Sequence, residues 1–198
     1  YAGHSYGELV ALHAAGVIDE ASLWELSRVR GEAMADKGND RGTMAAVSGP
    51  LGTISTLIES NNLEVVLANR NHPNQGVISG SAQAIEKAIN LFEKEGLSAQ
   101  RLSVSAAFHS PLVADATESL TKALAETTLE VAHTPVYANA TGTVYPTDTA
   151  ELSALLASQI TSPVHFVEIA KALYEQGVRV FVECGPKRVL QGLLRKTL

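Results

Sequence analysis

Tyr1-Ala2-Gly3-His4-Ser5-Tyr6-Gly7-Glu8, the first eight residues, contain the pattern GxSxG at Gly3, Ser5 and Gly7. This spacing is typical of a nucleophile elbow, in which a strand turns sharply into a helix and presents a serine at the tip. We expect glycine at 3 and 7 because side chains there would collide with the neighbouring strand or helix. The Tyr6 N–H, at the start of the helix, is a candidate donor to an oxyanion on an acylated Ser5. The alternative is an ordinary tight turn in an α/β domain.

The strand that should lead into the elbow is short in this sequence. Only two residues precede Gly3, whereas a typical strand has about five. The sequence also does not begin with methionine. We therefore expect the chain to be a fragment, or another chain to supply the missing strand.

Composition narrows the class of protein. The 198 residues are 45% hydrophobic, which is enough for one large domain or a domain with a subdomain. A net charge of −6 argues against a nucleic-acid partner. The single cysteine, Cys184, excludes a disulfide framework and predicts a reducing, cytoplasmic location. No apolar run reaches the ~18 residues of a membrane span.

Apolar periodicity and capping residues predict strands alternating with helices, and hence an α/β fold with a mainly parallel sheet. The order βαββαβ predicts a ferredoxin-like subdomain over 42–105, inserted between 1–41 and 106–198, which form the α/β core with the elbow. The predicted helices cover 9–16, 20–37, 51–60, 81–95, 110–127, 149–160, 163–177 and 187–198; the predicted strands cover 43–48, 63–68, 75–79, 100–105, 135–139 and a buried segment at 178–183.

A serine nucleophile needs a base, and the sequence has six histidines. His109 follows a predicted strand and precedes a helix opened by Ser110 and Pro111, and open α/β sheets place reactive groups at such strand ends. We expect His4 to be structural and to point away from Ser5, and His72 and His133 to be solvated. The histidines show no metal-ligand spacing, so we predict no metal site.

Five stretches together resemble one known family. The chain is similar to the malonyl-CoA:acyl carrier protein transacylase family, above all to acyltransferase domains of polyketide and polyunsaturated fatty-acid synthases. This resemblance implies a hydrolase-like parallel-sheet core with a ferredoxin-like subdomain. The stretches that carry it are Gly3-His4-Ser5-Tyr6-Gly7-Glu8-Leu9, Arg28-Val29-Arg30-Gly31-Glu32-Ala33-Met34, Ala107-Phe108-His109-Ser110, Gln159-Ile160-Thr161-Ser162-Pro163-Val164-His165-Phe166 and Glu183-Cys184-Gly185-Pro186.

The resemblance implies the roles of the reacting groups. Ser5 would be the acylated nucleophile and His109 its general base, with a backbone carbonyl near Gln159 orienting the imidazole. Arg30 would pair with the malonyl carboxylate, which suits the planar fork of a guanidinium. The Tyr6 N–H would be one oxyanion donor. The family's second donor lies on a glutamine-containing loop near the N-terminus that has no counterpart in this sequence.

Other positions follow from the resemblance less directly. Phe108 resembles the bulky residue of malonyl-selective domains, although it could simply be a core phenylalanine. Asn71 matches a position near the acyl-CoA entrance. The basic residues near the C-terminus could meet a phosphopantetheine phosphate or an acidic carrier protein, or could remain solvated; they are Lys187, Arg188, Arg195 and Lys196.

The implied reaction is a ping-pong transfer of the acyl group from malonyl-CoA, through Ser5, to the phosphopantetheine thiol of an acyl carrier protein. No permanently bound cofactor is expected, and the partners would be the carrier protein, other synthase domains and the missing N-terminal segment. One alternative is a thioesterase-type hydrolase, which needs an acid between the serine and the histidine in chain order. The other is an inactive acyltransferase fragment with a structural role.

Overall fold

The computed structural model describes residues 1–35, 41–104 and 106–198. Within these ranges the chain forms eight α-helices and four strands that follow the predicted order closely. The helices are α1 (Gly7–Ala14), α2 (Glu20–Met34), α3 (Leu51–Ser60), α4 (Ala82–Lys94), α5 (Ala114–Ala125), α6 (Thr149–Ser158), α7 (Phe166–Glu175) and α8 (Val189–Thr197); the strands are β1 (Thr43–Ser48), β2 (Val65–His72), β3 (Gln75–Gly80) and β4 (Ser98–Arg101).

The four strands form one antiparallel sheet in the order β2-β3-β1-β4. With α3 and α4 between them, they have the predicted βαββαβ arrangement of a ferredoxin-like unit. Alternate residues of β1, Ala45 and Val47, point into a buried cluster with Ile54 of α3 and Phe92 of α4. This sheet therefore has one face covered by its own two helices.

Two boundaries within this unit differ from the predictions. The expected turn over 69–74 is shorter, because β2 continues to His72 and pairs with Gln75, which leaves only two residues in the loop. The expected strand over 100–105 begins earlier and ends at Arg101, and residue 105 lies outside the described residues.

A second buried cluster is built from residues of 9–33 and 106–160. In it, α2 packs against α5 and α5 against α6. The predicted cap of α2 is present, since the Asp19 carboxylate accepts from the Ser22 N–H at 2.7 Å. The predicted end of α2 at Lys37 lies outside the described residues, and α7 begins at Phe166 rather than at 163. The two clusters are compatible with the predicted domain boundaries, which stay a prediction.

Two predicted strands are absent from the described part of the chain. Within 135–139, only Tyr137 forms isolated bridges, parallel to Ala2 and antiparallel to Val144. The prediction of a buried strand over 178–183 is wrong, because Val180 and Val182 are 79% and 81% exposed. An alternating apolar segment becomes a strand only when another segment hydrogen-bonds to it, and no described segment does so here.

Parallel pairing is correspondingly sparse in the described residues. It consists of the bridge between Ala2 and Tyr137 and a second bridge between Asn69 of β2 and Val164. None of the described helices combines the length and the apolar character that crossing a bilayer requires.

Candidate active site

Ser5 lies at the tip of the predicted elbow, immediately before α1. Its backbone φ is 52°, a left-handed value that is uncommon for a residue with a side chain and marks a strained turn. A Cβ on Gly3 would lie 2.0 Å from the Gly7 carbonyl carbon, so glycine is required at position 3. The same expectation for Gly7 is wrong, because a Cβ there would meet no atom within 4 Å.

Asn139 holds this turn from both sides. Its side-chain oxygen accepts from the Ser5 N–H at 2.6 Å, and its side-chain nitrogen donates to the Gly3 carbonyl at 2.8 Å. This residue is not among those predicted from the sequence. Its position in a predicted strand was the available signal, because a fully buried carboxamide in such a place must find partners.

His109 is the histidine that reaches the serine, as predicted from its place between a strand and a capped helix. Ser5 Oγ lies 2.9 Å from His109 Nε2. On the far side of the ring, Nδ1 lies 3.0 Å from the carbonyl oxygens of both Gln159 and Ser162. Because carbonyls only accept hydrogen bonds, Nδ1 carries the proton and Nε2 is free to accept the Ser5 hydroxyl.

The environment of His109 favours its neutral form. The residue is 3% exposed, and burial lowers the pKa of its imidazole to about 4, against the smaller opposing effect of the Gln159 carbonyl. The Arg30 charge is a further contribution to this lowering of the pKa to about 4. At neutral pH the ring is therefore unprotonated, which is the state in which it can accept the serine proton.

Arg30 is the second group that contacts the nucleophile. It is 7% exposed and shares the inward face of α2 with Leu26 and Ala33. Its Nη2 donates to Ser5 Oγ at 2.9 Å, and its Nε donates to Gln159 Oε1 at 3.3 Å. Burial lowers the pKa of the guanidinium, and the Glu8 carboxylate counteracts this. A buried cation is thus placed within reach of any acyl group on Ser5.

Arg28 has a different environment from Arg30. It lies on the opposite face of α2, where its exposed guanidinium pairs with Glu25 at 2.5 Å and Glu32 at 2.8 Å. Two arginines separated by two positions thus have different environments, and Arg28 is a matched control for Arg30.

Glu8 is a site residue that the sequence analysis quoted only as part of a motif. It is fully buried on the first turn of α1. Its Oε1 accepts from the Asn139 N–H at 2.9 Å and the Tyr145 hydroxyl at 2.5 Å, and its Oε2 accepts from Gln159 Nε2 at 2.6 Å. Burial raises the pKa of this carboxyl, while these hydrogen bonds oppose the change. The available signal was an acid inside an otherwise apolar helix.

The Tyr6 N–H makes no hydrogen bond with any residue in the described ranges, although the next amide, of Gly7, donates to the His4 carbonyl. It is therefore available to a ligand, and its predicted oxyanion role stays a prediction. The Tyr6 hydroxyl lies 2.9 Å from Ser27 Oγ, and the ring centroid is 5.9 Å from Arg30 Cζ.

A cavity of about 210 Å³ opens beside Ser5 and His109. Half-buried Phe108 and Asn71 both line it, so the structure brings all the predicted site residues into one region. Two roles stay predictions: that Phe108 restricts the size of the acyl group, and that Asn71 contacts acyl-CoA. The remaining lining residues are His4, Met34, Met44, Asn69, Val77 and Leu102.

His4 also faces this cavity, which contradicts the expectation that it points away from Ser5. Its Nε2 lies 2.9 Å from Asn71 Oδ1, and its ring packs against Phe166. Burial lowers the pKa of His4, so it is a neutral structural partner of Asn71. Of the two histidines expected to be solvated, His133 is exposed, but His72 is buried.

No group of three or more histidine, cysteine, aspartate or glutamate side chains is arranged to hold a metal ion within the described ranges. The four basic residues near the C-terminus are all exposed. Their contacts with a phosphopantetheine phosphate or a carrier protein stay a prediction.

The whole chain matches a sequence family described as the acyl transferase domain, over residues 1–198. The chain belongs to this family. It is 36% identical over its full length to a polyunsaturated fatty acid synthase polypeptide of a Thraustochytrium species, of which the match covers 7%. It is 38% identical to the malonyl CoA-acyl carrier protein transacylase of Bacillus subtilis, over 98% of this chain and 63% of that protein.

Solved structures confirm the fold class of this acyl transferase domain. The malonyl CoA-acyl carrier protein transacylase of Clostridium perfringens matches with a TM-score of 0.93 at 33% identity, over 99% of this chain and 63% of that one. The acyltransferase domain from the second module of the salinomycin polyketide synthase matches with a TM-score of 0.89 at 31% identity, over 100% and 46%. The chain thus spans less than two thirds of these relatives.

The pKa of His109 predicts the acid limit of activity in this acyl transferase domain. With acetyl-CoA, which has no carboxylate of its own, we expect kcat/KM to stay level from neutral pH down to about pH 5 and to fall below it, as His109 takes up a proton near its pKa of about 4. The measurement is the pH profile of kcat/KM. An acid limb centred near the ordinary histidine value of about 6.5 would contradict the prediction.

Proposed function

We propose that this chain transfers a malonyl group from malonyl-CoA to the phosphopantetheine thiol of an acyl carrier protein, in polyketide or fatty-acid synthesis. One observation carries the proposal: Ser5 Oγ is contacted at 2.9 Å by both His109 Nε2 and Arg30 Nη2. The first contact supplies a base for acyl transfer. The second supports a role for Arg30 in binding the free carboxylate of a malonyl group.

In the first half-reaction, the Ser5 hydroxyl proton moves to His109 Nε2 as Oγ attacks the thioester carbonyl carbon. The Gln159 and Ser162 carbonyls stabilise the resulting imidazolium through Nδ1–H. The Tyr6 N–H is our candidate donor to the oxyanion. The tetrahedral intermediate collapses by breaking the carbon–sulfur bond, and His109 returns its proton to the coenzyme A thiolate.

The second half-reaction runs in the opposite direction with a different thiol. His109 takes the proton of the phosphopantetheine thiol, and the sulfur attacks the malonyl ester on Ser5. Collapse then restores the Ser5 hydroxyl with the proton from His109. No step uses a metal or a bound cofactor. The proposed partners are malonyl-CoA and the carrier protein, together with other synthase domains, since some relatives are parts of larger synthases. Nucleic acid and membranes have no part in the proposal.

A thioesterase-type hydrolase is the weaker interpretation. The partners of His109 Nδ1 are two main-chain carbonyls, where a hydrolase triad would have an acid. A buried guanidinium on the nucleophile also has no use in a pocket for uncharged acyl chains. An inactive structural fragment is disfavoured because the serine, the base and the cation lie within hydrogen-bonding distance. We also propose a cytoplasmic location, with which the free, exposed Cys184 is compatible.

The test is intact-protein mass spectrometry after mixing with malonyl-CoA. We expect an adduct of one malonyl group, which disappears when a carrier protein with a free phosphopantetheine thiol is added. Free malonate with no adduct would favour the hydrolase. Absence of any reaction would favour the structural fragment.

A further inference from the structure

The buried carboxylate of Glu8 takes no direct part in the proposed reaction. It does not contact Ser5 Oγ or His109, and the Gln159 carboxamide stands between it and Arg30. On one side, Gln159 Nε2 donates to Glu8 Oε2 at 2.6 Å. On the other side, Gln159 Oε1 accepts from Arg30 Nε at 3.3 Å. A carboxylate, an amide and a guanidinium are therefore connected by a series of hydrogen bonds inside the protein.

The donors and acceptors in this series of hydrogen bonds determine how the Gln159 carboxamide is oriented. A carboxylate only accepts hydrogen bonds, so the amino group of Gln159 must face Glu8. The same amino group also donates to the Ser5 carbonyl at 3.0 Å. The amide oxygen is then left on the side of Arg30, whose guanidinium only donates. A reversed carboxamide would place its oxygen against the acceptor oxygens of Glu8 and Ser5. It would also place its amino group against the N–H donor of Arg30.

This arrangement constrains how Arg30 meets the nucleophile. Its Nε is occupied by Gln159, and its Nη2 is directed at Ser5 Oγ. We propose that Glu8 is a positioning residue that sets the orientation of the Gln159 carboxamide and thereby aims Arg30 at the carboxylate of the acyl group. The inference rests on the proposed function, because it concerns the discrimination between malonyl and acetyl groups.

The test is Glu8→Gln, which keeps the shape of the side chain and replaces one acceptor oxygen by a donor. The oxygen that this variant retains stays with its two donors, the Asn139 N–H and the Tyr145 hydroxyl, so its new amino group faces Gln159 Nε2. Gln159 then either keeps a donor–donor contact or reverses and presents its amino group to Arg30. In both cases the orientation of the Arg30 guanidinium toward Ser5 is disturbed. We expect the malonyl-to-acetyl ratio of kcat/KM to fall about tenfold.

Two companion variants separate positioning from a general loss of structure. In an Arg30→Ala background, Glu8→Gln should not change the malonyl-to-acetyl ratio further, because the group it acts through is gone. Tyr145→Phe removes a hydrogen bond from the other oxygen of the same carboxylate. It should lower thermal stability and leave the ratio unchanged.

Gln159→Leu tests the inference if Glu8→Gln does not fold. Leucine keeps the main-chain carbonyl that accepts from His109 and removes the side-chain link between Glu8 and Arg30, so the ratio should fall in the same way. Equal losses with malonyl and acetyl groups would overturn the inference and make Glu8 structural. A rise in the ratio would also overturn it, because Glu8 would then act as a charge that repels malonyl. Absence of malonyl transfer by the unmodified, intact protein would instead overturn the proposed function, and this inference with it.

Discussion

Ser5→Ala is expected to abolish formation of the malonyl-enzyme and to leave the fold intact. The variant keeps the bonds that hold the elbow, because the Asn139 side chain bonds to main-chain groups there, the Ser5 N–H and the Gly3 carbonyl. It removes the one oxygen on which His109 and Arg30 converge. Intact-protein mass spectrometry with malonyl-CoA is the measurement. Labelling that persisted in Ser5→Ala would exclude Ser5 as the nucleophile.

His109→Ala should slow the same reaction by ~10²–10⁴, the usual cost of losing a general base. The oxygen nucleophile remains in this variant, so slow labelling should still be detectable at high pH, where hydroxide can replace the base. His133→Ala is the matched control, since His133 is exposed and touches neither Ser5 nor Arg30. A loss of less than tenfold in His109→Ala would contradict its role as the base.

The ferredoxin-like unit was predictable because its signals are local. Three of the four strands of 43–101 contain an apolar run, at 44–47, 65–68 and 77–78. The Ser81 hydroxyl caps α4 by accepting from the Ala84 N–H at 3.1 Å. The strands also find their partners within the same segment, in antiparallel pairs. The local sequence pattern and the tertiary pairing thus agree. The predicted strands of this unit differ from the observed ones only at their ends.

The segment 178–183 shows the limit of this reasoning. Its three alternating valines predict a strand as strongly as the apolar run of β1 does. Pairing, however, depends on a partner that the local sequence does not specify. Position 8 shows the same limit inside the site. A glutamate in the first turn of a helix ordinarily faces solvent and the helix dipole, and only the positions of Asn139, Tyr145 and Gln159 in space make a buried carboxylate favourable there.

Ser5, His109 and Arg30 could be predicted from the sequence as candidate site residues for a different reason. The elbow pattern and the resemblance supplied the chemistry of these groups. The spacing of Arg30 from Leu26 and Ala33 is that of residues on one face of a helix. The structure adds that this face is turned toward the nucleophile and that Arg30 has no ion-pair contact with a carboxylate in the described residues. This is compatible with the proposal that its positive charge binds a carboxylate of the acyl group.

Arg30→Ala is expected to remove the preference for malonyl over acetyl. A charge-assisted bidentate contact with a carboxylate contributes roughly 1.5–3 kcal/mol, so the malonyl-to-acetyl ratio of kcat/KM should fall by about 10- to 150-fold. Acetyl transfer should stay unchanged or improve, because acetyl has no carboxylate to bind. Arg30→Lys should rescue the ratio only in part, because an ammonium lacks the planar fork.

The ratio is the decisive quantity, because Arg30 also donates to Ser5 Oγ in the free protein, and any effect of losing that contact is common to both substrates and cancels in the ratio. Arg28→Ala is the matched control: it removes an arginine of the same helix whose charge is already paired with Glu25 and Glu32 at the surface. The control should leave the ratio unchanged. Equal losses with malonyl and acetyl in Arg30→Ala would mean that Arg30 supports the structure of the site and does not read the acyl carboxylate.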